Sequence, residues 1–362
     1  MSRNQIHIVT PQLPLKRGFN DFYPLIKWQK AFANQGLYFK YFNSHVEKKI
    51  FDCSILILDY RYYQQLINKK VYPDKGFILD FIIEAKKKGL KVVLFDSGDG
   101  TGSRCFSITP YVDIHLKKQV LKDLSHYTHE FGNKSSMCWV PRDLIAEGFT
   151  YDNCREADLK KIRVSWNIGM VDHRVFPFSS FYPTGTSALL NSMYRLPVIH
   201  APSQGRKLLT SYRGSIKTDA RYSYQRRPLL ETLDAMKSSY PVSTGGNLKK
   251  KDYVKEMRNS KAVVSPFGWG EVCYRDFECF LNGSLLVKPN MEHLSTFPDF
   301  FVPGETYVPV KWDLSDLEKR LIDIHENYEY YLRIAVQGQN KIKNAILDEQ
   351  AFLSHFEKIV LE

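Results

Sequence analysis

Short aliphatic runs alternate with amphipathic stretches through the first half of the chain. Residues 5–9, 38–42, 54–58 and 91–95 are apolar enough to be strands, and the unbroken aliphatic run at 54–58 suits a parallel strand covered on both faces. Residues 22–35 and 77–88 carry apolar positions at helical spacing and stop at Gly36 and Gly89. Shorter strands are expected at 114–117 and 161–166. Periodicity fades between 167 and 206, where Pro, Gly and aromatics mark a linker and cleft-lining loops. It restarts with a strand at 208–212, a helix at 228–237 and a strand at 261–264, and the chain ends in an amphipathic helical tract over 314–362. Such alternation predicts parallel sheets covered by helices. At 362 residues the chain is long enough for two cores.

The segment SPFGWGEVCYRDFE at 265–278 stands out against this background. It follows a buried strand, turns through Pro and Gly, and opens a helix expected to begin near Glu271. Glu271, Tyr274, Arg275 and Glu278 then share one helical face. In an open α/β sheet, a corner at the carboxyl end of a strand is where ligands bind. A helix N-terminus offers unpaired N–H groups to phosphate, and a carboxylate further along accepts hydrogen bonds from ribose hydroxyls. A solvated ladder of ion pairs is the plainer alternative. The aromatic residues Phe267, Trp269, Tyr274 and Phe277 in the same segment argue against it.

Composition narrows the partners. With 43% hydrophobic and 25% charged residues the chain reads as a soluble globular protein. Its net charge of +12 favours an anionic partner, whether a phosphorylated small substrate, an anionic membrane or nucleic acid. The lysines form short runs at 86–88 and 249–251, better read as solvated helix ends, so nucleic acid is not expected. Six cysteines without a CxxC pair imply reduced thiols and no zinc site. No apolar run is long enough to cross a bilayer, and the expected location is the cytoplasm, with a membrane surface within reach of the positive charge.

Three further groups could carry chemistry. Lys288 and His293 follow the strand after Gly283 and would face the same crevice. Arg213, Arg221, Arg226 and Arg227 lie in 211–228, where fixed guanidinium groups would stabilise charge on a departing pyrophosphate without a metal. Arg213 is preferred because Gly214 permits close backbone approach. The DSGDGTGS loop at 96–103 lacks dinucleotide spacing but places Asp96 and Asp99 after a strand, as candidate general bases or plain turn caps. Among the histidines His173, between Asp172 and Arg174, is the best candidate. There is no P-loop, HExxH, Gly-x-Ser-x-Gly or Asp-x-Asp, so no metal is expected.

Residues 265–289, SPFGWGEVCYRDFECFLNGSLLVKP, resemble the donor-binding motif of GT-B glycosyltransferases, in particular their group 1 and exostosin-like branches. The resemblance is specific over about 205–330 and architectural before that. It implies two Rossmann-like parallel-sheet domains facing a cleft: an acceptor domain at 1–200, a nucleotide-sugar donor domain at 206–335, and a C-terminal helix at 336–362 crossing back. It implies that Glu278 binds the ribose, that Phe267 and Gly268 approach the donor, and that Arg213 and Arg227 meet the pyrophosphate. Retaining group 1 enzymes carry a first glutamate where residue 270 stands; here that residue is Gly and Glu271 comes one position late, leaving the stereochemical course open.

The expectation is a metal-independent glycosyltransferase moving a sugar from a nucleoside diphosphate to a hydroxyl of a glycan or glycoconjugate. Its donor residues would be Arg213, Arg227, Phe267, Gly268, Tyr274, Arg275, Glu278 and Lys288. Its catalytic candidates are Asp99, Asp96 and Glu271. The rival is a non-catalytic module of the same fold that binds nucleotide or glycan.

Overall fold

Each aliphatic run forms a strand in one of two parallel sheets. The computed structural model describes residues 5–11, 19–71, 74, 76–129, 152–171, 173, 199–216 and 223–362. These fall into two units: 348–362 belong with the first half of the chain, and 199–347 form the second unit. The first sheet uses β1 (Gln5–Val9), β2 (Tyr38–Phe42), β3 (Ile55–Asp59), β4 (Lys91–Asp96), β5 (Ile114–Lys117) and β7 (Ile162–Val164), in the order β2-β1-β3-β4-β5-β7. The second uses β8 (Leu208–Arg213), β9 (Val242–Gly245), β10 (Ser260–Val264), β11 (Leu285–Pro289) and β13 (Val308–Val310), in the order β13-β11-β10-β8-β9. Two short strands, β6 (Gln119–Leu121) and β12 (Leu294–Thr296), belong to neither sheet. All pairings in both sheets are parallel.

Counted from its own first strand, each sheet runs second, first, third, fourth, fifth, and the first sheet adds a sixth at its end. In both, the order reverses between the first and third strands, β1/β3 and β8/β10, which is the switch point where doubly wound sheets take ligands. Two such Rossmann-like units in one chain are the components of a GT-B fold. β3 and β11 are buried at every position, as parallel strands with helices on both faces must be.

The boundaries depart from expectation where tertiary contacts intervene. The helix expected over 22–35 breaks into Tyr23–Lys27 and Gln29–Asn34. Trp28 leaves the helical region between them (φ −105°, ψ 22°), and its ring packs 4.7 Å from Phe352. The C-terminal tract divides into Leu317–Glu326, Tyr328–Ala345 and Glu349–Phe356. Tyr328–Ala345 stays with the second unit, so the chain returns to the first at 348 and not at 336. The returning helix is held by aromatic contacts: Phe352 lies 5.4 Å from Trp166, and Phe356 lies 5.1 Å from Phe32.

Arg206 organises the amino edge of the second sheet. It is buried, and donates to the carbonyls of Met257 (3.2 Å), Ser260 (3.0 Å) and Asn282 (2.8 Å) and to Ser284 Oγ (2.9 Å). One guanidinium thus ties together the entries to β8, β10 and β11. Burial lowers its pKa from the ordinary arginine value.

Replacing Phe356, which is completely buried, by Ala should cost about 3–5 kcal/mol. Urea denaturation measures this; an unchanged midpoint would show that the returning helix is not part of the first unit's core.

Candidate functional site

The corner after β10 is built around a buried carboxylate. Asp276 and Lys288 have no exposed side-chain surface, and Lys288 Nζ lies 3.1 Å from Asp276 Oδ2. Ser265 Oγ donates to Asp276 Oδ1 (2.5 Å), and the Cys273 N–H donates to Oδ2 (2.9 Å). The last bond makes Asp276 the N3 residue of a capping box, so the helix starts at Tyr274 and runs to Leu281, beginning later than Glu271. Lys288 is a buried counter-ion to Asp276 and not a ligand facing a crevice. Gly283 follows the helix at φ 68°, where a Cβ would come within 2.6 Å of the Pro202 nitrogen.

This anchoring leaves Tyr274, Arg275 and Glu278 partly exposed on one helix. Arg275 Nη2 donates to the Arg213 carbonyl (2.5 Å), and the guanidinium lies 4.6 Å over the Tyr212 ring. Tyr253 donates its hydroxyl to Glu278 Oε2 (2.8 Å) from the neighbouring helix Lys250–Asn259. Burial pushes the Glu278 carboxyl above its ordinary range, against the opposing pull of the Tyr253 bond and of Arg275 and Lys250. Phe267 is buried, with its N–H donated to Gln225 Oε1 (2.8 Å), and Gly268 donates its N–H to the Gly270 carbonyl (2.9 Å). Trp269 between these glycines is 48% exposed. Glu271 is completely buried in the same loop.

The arginines separate. Arg213 ends β8 as expected, but its guanidinium turns to Glu256: Nε donates to Oε1 (2.8 Å) and Nη2 pairs with Oε2. It also donates to the Thr244 carbonyl (2.9 Å) and Ser243 Oγ (2.8 Å), joining β8, β9 and the helix Lys250–Asn259. The expected pyrophosphate ligand is therefore a cross-tie. Arg227 is exposed in the first turn of the helix Arg226–Met236. Gln225 precedes that helix without capping it, because its side chain serves Phe267 and the Trp312 carbonyl (2.9 Å). Arg221, Asp172 and Arg174 lie outside the described residues. His173 Nε2 sits 2.7 Å from the Gly169 carbonyl.

The first unit separates its two aspartates as well. Asp96 is buried at the end of β4, 2.8 Å from Lys117 and 3.5 Å from His115, and accepts the Gly98 N–H (3.0 Å). Burial alone would raise its pKa; Lys117 and His115 outweigh burial and hold the carboxyl well below its ordinary range. Such a carboxylate is a weak base, so Asp96 anchors the loop. Asp99 is the more exposed of the two, with its side chain 55% accessible and 3.1 Å from buried Lys118. Burial would raise its pKa, but Lys118 and Arg61 outweigh burial and hold its carboxyl below the ordinary range as well. At the switch point itself Thr10 Oγ1 bridges to Asp59 Oδ2 (3.0 Å).

Tyr212, Tyr253, Glu256 and Asp276 were missed. Only Asp276 had a local signal, three residues after a helix-starting position. Among the described residues no group of three or more His, Cys, Asp or Glu side chains could hold a metal, and no helix is long and apolar enough to cross a membrane.

No family profile and no curated protein matches the chain. Similar solved structures include T4 phage BGT with its UDP-glucose substrate, 10% identical over 98% of this chain and 99% of that one, with a TM-score of 0.48. Anabaena Alr3699/HepE with UDP-glucose is 9% identical over 98% and 99%, at 0.43. A glycosyltransferase from Rickettsia africae ESF-5 is 12% identical over 99% and 99%, at 0.42. Identities this low say nothing of chemistry.

Because the Asp96 pKa is depressed in the folded state, its contribution is present above the unfolded carboxyl value, about pH 4, and is lost as pH falls through the folded value. Asp96→Asn leaves Lys117 buried without its partner and should cost about 3–5 kcal/mol at pH 7. It should also flatten the acid limb of stability against pH, followed by chemical denaturation from about pH 5 down to about pH 2. An acid limb identical to wild type would contradict this.

Proposed function

We propose that this chain is a glycosyltransferase of the GT-B kind, of the group 1 or exostosin-like type, that binds a nucleoside diphosphate sugar on its second unit. The observation that carries the reading is the Glu278–Tyr253 pair beside Arg275, at the carboxyl edge where the second sheet reverses its strand order. Glu278 is the acceptor for ribose hydroxyls. Arg275, exposed Arg227 and the uncapped start of the helix Arg226–Met236 supply positive charge to the diphosphate. Charge develops on that diphosphate as the sugar departs, and fixed guanidinium groups stabilise it, so transfer needs no metal. The loop Phe267–Gly268 and the exposed Trp269 face the sugar.

The acceptor is a hydroxyl of a glycan or glycoconjugate held by the first unit, with Asp99 as the base. It is the exposed carboxylate of the 96–103 loop, paired with Lys118 at its edge, whereas Asp96 is buried against Lys117. The burial of Glu271 and the engagement of Arg213 by Glu256 favour a second reading: a module that binds nucleotide without turnover.

Calorimetric titration with UDP, GDP and ADP should find one that binds, with Glu278→Ala weakening it at least about ten-fold through lost charge-assisted hydrogen bonds. Binding of none of the three would remove the donor assignment. Since burial raises the Glu278 pKa, wild-type affinity should fall as pH drops through a value above the usual carboxylate range, and Glu278→Gln should not show that fall. In a donor-hydrolysis or transfer assay Asp99→Asn should lower kcat by about 100- to 10,000-fold with little change in donor KM. Full turnover by that variant would rule Asp99 out as base, and nucleotide binding with no turnover by wild type would favour the second reading.

A further inference from the structure

Tyr212 lies on β8 one residue before its end, 1% exposed, in the same core cluster as Leu229 and Leu233 of the helix Arg226–Met236. Its hydroxyl is buried and, among the described residues, has no hydrogen-bond partner. A fold has no structural use for a buried hydroxyl in that state, since phenylalanine would pack equally well and carry no desolvation penalty. The surroundings are specific. Arg275 covers the ring face at 4.6 Å, and Gly214 lies against the hydroxyl so closely that a Cβ there would come within 2.6 Å of the oxygen. Only glycine at 214 leaves room for the Tyr212 hydroxyl in this position. The start of the helix Arg226–Met236 has no side-chain cap and carries the exposed Arg227 in its first turn.

We propose that the Tyr212 hydroxyl is a preformed hydrogen-bond donor to the diphosphate, acting together with the Arg275 guanidinium and the start of the helix Arg226–Met236. This rests on the donor reading above and adds a specific ligand to it: Tyr212 recognises the phosphate and not the base or ribose. The bond made on binding supplies the partner that the hydroxyl lacks in the free protein.

The test is Tyr212→Phe, measured by thermal unfolding and by calorimetry with UDP and UMP, or GDP and GMP if the wild type prefers guanine. The free variant should melt at or above the wild-type temperature, because it loses an unpartnered polar group. Its affinity for the diphosphate should fall about ten-fold, and the preference for diphosphate over monophosphate should shrink by a similar factor. An unchanged affinity and preference in the variant, with wild-type binding intact, would overturn this proposal and leave the donor reading standing. A lower melting temperature would also overturn it, since the hydroxyl would then have a structural partner. A wild type that takes up no nucleoside diphosphate would overturn both.

Discussion

The buried ion pair between Asp276 and Lys288 is the constraint on which the corner after β10 depends. A carboxylate and an ammonium with no exposed surface are costly to remove from water, and the arrangement persists because Asp276 also accepts from Ser265 and from the backbone of Cys273. Those bonds join the end of β10, the first turn of the following helix and the interior of β11. The helix cannot rotate about its axis without breaking them. Its other face, with Arg275 and Glu278, is thereby held toward the reversal in strand order. The first unit uses the same device: Asp96 and Lys117 join the ends of β4 and β5 and hold the glycine-rich loop that carries Asp99.

A division of labour follows in both units. The fully buried charges set geometry, and Arg275, Glu278 and Asp99 a few residues away stay partly exposed at the edge of each corner. Arg213 shows the same logic on the neighbouring strand, where Glu256 takes its guanidinium and the Arg213 carbonyl in turn fixes Arg275. Around Glu278 the low polarity that raises its pKa also strengthens each hydrogen bond its carboxylate makes.

Strands and sheets were legible in the sequence because a run such as ILILD at β3 has no other stable place than between two helical layers. The corner was legible as a corner: Gly and Pro mark the turn, and the spacing of Arg275 and Glu278 shows a common face. Long-range partners were not. Nothing local distinguishes Lys288, which meets a carboxylate twelve residues earlier, from a lysine facing solvent. Arg213 and Glu256 are separated by 43 positions, and Asp96 and Lys117 by 21. Periodicity shows which residues share a face, not which charge waits on the opposing element. The break at Trp28 has the same origin, because its partner Phe352 comes from the far end of the chain.

That aromatic contact has a consequence for synthesis. The first unit is translated early, yet Trp28, Phe32 and Trp166 receive their cover from the helix Glu349–Phe356 only after the whole second unit has been made. At about 5–20 residues per second, the interval between Trp166 and Phe352 corresponds to roughly 10–40 s. During that time the nascent first unit presents an uncovered aromatic face, while the second unit can close its own core as it emerges. The half of the protein that begins folding first is the half that finishes last.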